Sequence, residues 1–77
     1  MPTILIGGYK FRFYSSDVNE PPHVHVIRAE RVAKIWLKAL EVGYNRGYNK
    51  AQLIKVLKLT EHNKTKLLEA WHEYFNR

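Results

Sequence analysis

The sequence predicts an α+β domain: a small antiparallel sheet of about four strands with a long C-terminal helix, kinked near its middle, packed on one face. Three observations predict it. The stretch from Tyr9 to Tyr14 alternates apolar and polar residues, the period of a strand with one buried and one solvated side. A second alternating stretch, Val32 to Lys38, repeats the pattern. From Lys50 onward, Leu53, Leu57, Thr60, Leu67 or Leu68, Trp71 and Phe75 recur at helical spacing. Strands first and helix last points to an antiparallel sheet with its helix segregated to one side.

Each element has its own signal. Thr3 to Ile6 is a short apolar, β-branched run, and Gly7-Gly8 is a hairpin turn leading into the second strand. There Tyr9, Phe11 and Phe13 take one face, and Lys10, Arg12 and Tyr14 the other. Ser15 to Pro22 gathers Ser, Asp, Asn and Pro and reads as a loop. His23 to Arg28 is the third strand. Arg28 to Arg31 turns the chain with neither Gly nor Pro. The fourth strand sets Ala33, Ile35 and Leu37 against Val32, Lys34, Trp36 and Lys38. Ala39 to Tyr48, with Gly43 and Gly47, reads as a connection that contains at most a short strand or a turn of helix. Asn49 is an N-cap, and Gln52 completes a capping box. A helix from there to Phe75 would span roughly 40 Å. Lys64 falls where an apolar residue is due and Thr60 to Asn63 is polar, which places a break near Asn63.

Seventy-seven residues make a single domain, 1–77, with a core small enough that a homodimer or bound partner is an expected source of stability. The chain has no cysteine, so neither disulfides nor a Cys-based metal site staples it. A content of 45% hydrophobic and 26% charged residues is that of a globular domain. A net charge of +6 favours an anionic partner such as RNA, DNA or an acidic protein. The amino terminus lacks the basic and apolar regions of a signal peptide, and no run is long enough to span a membrane. A cytoplasmic protein is expected.

The chemistry centres on Glu20-Pro21-Pro22-His23-Val24-His25-Val26. Two prolines stiffen the approach to a strand in which histidine and valine alternate. If Val24 and Val26 face the core, His23 and His25 stand side by side on the uncovered face. Lys10, Arg12, Tyr14, Lys34, Trp36 and Lys38 share that face. Rings and cations together are what single-stranded RNA meets, with stacking on bases and charge on phosphates. Arg46, in the polar stretch Tyr44 to Tyr48, is a candidate ligand for a phosphate or a carboxylate, and a simple turn with Gly47 at positive φ explains that stretch as well. Solvated sheet faces also carry Lys and Arg as protection against edge pairing, and Trp36 also suits a dimer contact.

Three readings of the histidine pair stand. As an acid–base pair, one ring takes a proton from a ribose 2′-hydroxyl and the other donates to the leaving oxygen. As metal ligands they need a third donor, for which Glu20, Asp17 and His72 are available at no diagnostic spacing. As structural residues they order the loop after the prolines. Other motifs fall short. Glu69-Ala70-Trp71-His72 has the Glu-x-x-His spacing of carboxylate-bridged metal helices in one copy only. His72-Glu73 has no second His four residues on, as a zinc-protease helix requires. No cofactor motif is present, and no metal is assigned.

Several blocks together resemble one family. They are Met1-Pro2-Thr3-Ile4, Gly8-Tyr9-Lys10-Phe11, Phe13-Tyr14-Ser15, Pro21-Pro22-His23-Val24-His25-Val26, Ala33-Lys34-Ile35-Trp36-Leu37, Asn45-Arg46-Gly47-Tyr48 and Leu67-Leu68-Glu69-Ala70-Trp71-His72-Glu73-Tyr74-Phe75. The chain is similar over its whole length to short bacterial proteins of the domain of unknown function 4160 family. The resemblance implies a toxin–antitoxin-like setting, with a small cognate protein encoded nearby, and brings no agreed activity. The expectation is therefore a protein that binds nucleic acid, RNA before DNA, or a small protein partner, through the His-bearing face. The alternatives are a small metal-independent ribonuclease using His23 and His25, or a His-x-His metal-binding domain.

Overall fold

The structure, a computed structural model, describes residues 3–14 and 18–76. Its elements are β1 (Thr3–Ile6), β2 (Tyr9–Arg12), β3 (His23–Arg28), β4 (Arg31–Trp36), β5 (Glu41–Arg46), α1 (Lys50–His62) and α2 (Lys64–Phe75). The strands form one antiparallel sheet in the order β1-β2-β3-β4-β5, so each pairs with its neighbour in sequence. The α+β architecture is as the sequence predicts, with one strand more.

The additional strand, β5, comes from the segment read as a connection. Its register against β4 shifts between Lys34 and Ile35: Lys34 faces Tyr44 while Ile35 faces Val42, leaving Gly43 over. A bulge of this kind places Val42 and Tyr44 on opposite faces, although their spacing of two in the sequence would put them on the same one. The β1–β2 hairpin turns on Gly7 (φ +57°) and Gly8 (φ +84°), both positive as a tight two-residue turn requires. The β3–β4 turn does the same work without glycine, and Ala29 sits at φ +54°.

β4 stops at Trp36 and not at Lys38, although Leu37 N–H still donates to Pro22 C=O at 3.0 Å. The chain then turns through Leu40 (φ +55°), whose N–H donates to Trp36 C=O. Asn49 caps α1 as expected. Its side-chain oxygen accepts from Gln52 N–H at 2.8 Å, and Gln52 Oε1 accepts from Asn49 N–H at 2.9 Å.

The helical stretch breaks at Asn63. Asn63 leaves helical geometry (φ −110°, ψ 14°) while its side-chain amide donates to Leu59 C=O at 2.8 Å. A short polar side chain competing for backbone acceptors is a recurrent reason for such a break. Lys64, the residue out of pattern, donates from Nζ to Lys38 C=O at 3.0 Å and ties the break to the β4–β5 turn.

The core lies on one face of the sheet. Tyr9, Phe11, Phe13, Val24, Val26, Ala33, Ile35 and Leu37 pack with Tyr48 and with Val56, Leu67 and Trp71 of the helices. Both rows of core residues named from alternation are therefore buried. Tyr48 closes the cluster with its hydroxyl donating to Val26 C=O at 2.9 Å, and burial raises its pKa above the ordinary tyrosine value.

Candidate functional site

Register alone assembles the opposite face. With Val24 and Val26 in the core, three rows of side chains cross the strands on the other side. One runs His23, Trp36, Glu41. The next runs Thr3, Arg12, His25, Lys34, Tyr44, and the third Leu5, Lys10, Ile27, Val32, Arg46. The sheet thus brings Lys10, Arg12, Lys34, Trp36 and Arg46 to the face that holds both histidines, and Tyr14 joins them through its ring contact with His25. Lys38 is the exception. It lies in the turn after β4, outside the rows, because the strand ends two residues before it.

The expectation that the two imidazoles stand uncovered is wrong. His23 is wholly buried and His25 is 8% exposed. Aromatic rings roof them. His23 has Trp36 at 5.2 Å, Trp71 at 5.1 Å and His25 at 5.3 Å between ring centroids. His25 has Tyr14 edge-on at 4.7 Å and Tyr44 at 6.0 Å. Alternation states which side of a strand a residue takes and says nothing of what lies above it. Here the cover comes from large neighbours in the same rows and from α2. Trp71 meets the core ring of Phe13 at 5.6 Å and His23 at 5.1 Å, so one indole closes both compartments where they meet.

Pro21 also acts on His23. The ring's Nδ1 lies 2.9 Å from Pro21 C=O. A carbonyl only accepts, so Nδ1 carries the hydrogen in this contact. The double proline thus presents a rigid acceptor that fixes the orientation of the imidazole two residues on, the loop-ordering role among the three readings.

The cations of the face are partly engaged. Lys34 Nζ meets Glu20 Oε1 at 2.7 Å and sits 4.3 Å from the centre of the Trp36 ring. The hydrogen bond from Lys34, with the Lys34 charge and the two histidines adding to it, holds the Glu20 carboxyl below the usual carboxylate range. Arg12 Nε donates to Thr3 Oγ1 at 3.0 Å, which carries its guanidinium across β1. Arg46 lies 5.9 Å from the centre of the Tyr44 ring, and both are exposed, as is Lys10. The outer layer of the face is Tyr44, Arg46 and Lys10, with Arg12 half-buried beside them.

Sequence reasoning missed Tyr44, Glu20's pairing and Trp71 as a roof. Tyr44 hid behind the bulge at Gly43, and the other two depend on contacts between residues distant in sequence. For the metal reading, no group of three His, Cys, Asp or Glu placed to hold an ion occurs among the described residues. Glu20 is held by Lys34, and Asp17 lies outside the described residues.

A family model described as Domain of unknown function (DUF4160) matches residues 8–72. No curated protein and no solved structure matches the chain.

Proposed function

The chain belongs to the family described as Domain of unknown function (DUF4160), a membership that names no activity, and we propose that it binds single-stranded nucleic acid, RNA before DNA, on the histidine-bearing face. The observation that carries this reading is the row Thr3–Arg12–His25–Lys34–Tyr44, which sets an exposed ring and a guanidinium on a floor of packed aromatics. A base stacks on Tyr44, whose other neighbour Arg46 meets a phosphate, and Arg12 and Lys10 take phosphates further along the strand. The +6 charge adds long-range attraction. His23 and His25 hold the floor rigid beneath these groups. In that role they position the rings and do not touch the nucleic acid.

The setting we propose is a cytoplasmic bacterial toxin–antitoxin-like pair with a small cognate protein. No helix among the described residues is long and apolar enough to cross a membrane. The ribonuclease reading requires His23 and His25 to reach a ribose, and Trp36, Tyr14, Tyr44 and Trp71 stand over them.

Anisotropy titrations of labelled single-stranded RNA across a salt series test the proposal. Tyr44→Ala should weaken binding by about tenfold, the loss of one stacked base. Arg12→Ala with Arg46→Ala should lower the slope of log affinity against log salt by about two. Binding that ignores salt, or is indifferent to all three changes, rules the face out. RNA shortened during the titration, and left intact by His25→Ala, would restore the acid–base pair.

A further inference from the structure

The two borders of the sheet are built differently. β5 is interrupted by its bulge and bears Glu41 and Arg46, features that discourage strand addition. β1 is regular, uncharged and free of proline from Thr3 to Ile6, and among the described residues it pairs with β2 alone. Antiparallel pairing uses the amides of alternate residues, so half of the β1 backbone groups point away from β2. The two-residue turn makes Ile6 and Tyr9 the bonded closing pair, which leaves Leu5 with its N–H and C=O outward. Its side chain is 72% exposed.

Beside this border runs an open groove of about 440 Å³ lined by Ile4, Ala70, Glu73 and Tyr74, between β1 and α2. Ile4 belongs to the core-facing side of β1, opposite the side of Thr3 and Leu5. On that other side Arg12 is held over the border by its bond to Thr3, which uses one of five guanidinium N–H donors. Lys10 stands next to Leu5 in the third row.

We propose that β1 takes an extended acidic segment of a partner protein as a further strand, with a carboxylate meeting Arg12 and aliphatic side chains filling the groove of Ile4, Ala70 and Tyr74. Main-chain bonds to the outward amides supply affinity, and the alternation of side chains supplies selectivity. Carboxylates fit the Arg12 and Lys10 side, where guanidinium and carboxylate match in bidentate geometry. On the groove side Glu73 repels acid, so only an apolar residue is accepted there. A second copy of this chain fits less well, since Thr3 to Ile6 offers Arg12 no carboxylate and each copy carries +6.

An eight-residue peptide alternating valine and glutamate, with its valine–lysine counterpart, tests this by hydrogen exchange and fluorescence titration. The glutamate peptide should slow exchange at the β1 amides, and the lysine peptide should not bind. Leu5→Glu and Arg12→Gln, each checked for unchanged circular dichroism, should weaken the glutamate peptide about tenfold. Tyr44→Ala should leave it unchanged, which separates this border from the nucleic-acid face. Equal binding of both peptides, or protection away from β1, overturns the proposal. So does self-association of the chain alone with protection of the same amides, since that gives the border to a second copy.

Discussion

The two sides of β3 bury their residues by different means. On one, Val24 and Val26 lie under helices and beside Phe11, Ala33 and Ile35, a mostly apolar core. On the other, His23 and His25 are nearly as inaccessible, yet their cover is a shell of Tyr14, Trp36, Tyr44 and Trp71 with an ion pair at its margin. The first side is closed by the hydrophobic effect over a large area. The second is closed by Tyr14, Trp36 and Tyr44, which reach solvent, and at its inner end by the buried Trp71. Equal burial therefore conceals unequal roles: one side stabilises, and the other holds polar rings rigid just below the surface.

Substitutions separate the sides. Phe11→Ala opens the core and should cost about 3–5 kcal/mol in urea denaturation. His23→Ala should cost less, about 2–3 kcal/mol, because it removes one ring and the Pro21 bond from a thinner layer. A cost equal to that of Phe11→Ala would mean the two sides form one core. Tyr48→Phe, which removes the hydroxyl bonded to Val26 C=O, should cost about 1 kcal/mol. Tyr44→Ala lies at the outer surface and should shift stability by less than about 0.5 kcal/mol while weakening RNA binding.

The smallest effect is expected from Glu20→Gln. The lowered pKa of Glu20 means that the folded chain releases this proton more readily than the unfolded chain. Its contribution is complete above the ordinary carboxylate pKa and is lost as pH falls through the lowered one. Melting temperatures of the two proteins should differ slightly near neutrality and converge in acid. Curves that stay parallel down to low pH would remove the ion pair from the margin of the histidine layer.

Much of the fold was legible in the residues. Tyr9 to Tyr14 and Val32 to Lys38 revealed the core rows because alternation is a local property. Asn49 with Gln52 revealed the start of α1, and the polar run before Lys64 revealed its end. The face shared by Arg12, His25 and Lys34 was legible too, since one register links all three. What stands over that face was not. Trp71 reaches His23 from the last helix, and Glu20 reaches Lys34 from a loop, neither of which any local period encodes. The face taken by Tyr44 escaped because a single extra residue at Gly43 moves it to the side where alternation does not look for it.

That same extra residue has a consequence for how complexes of this chain grow. Unlimited stacking of sheets requires each molecule to offer a receptive border on both flanks, and here the β5 flank is disrupted. Whatever strand attaches at β1 finds no equivalent place at the far side to continue from. Growth ends after one addition, so a crowded mixture of this chain and a strand-donating partner should fill with bounded complexes in place of fibres.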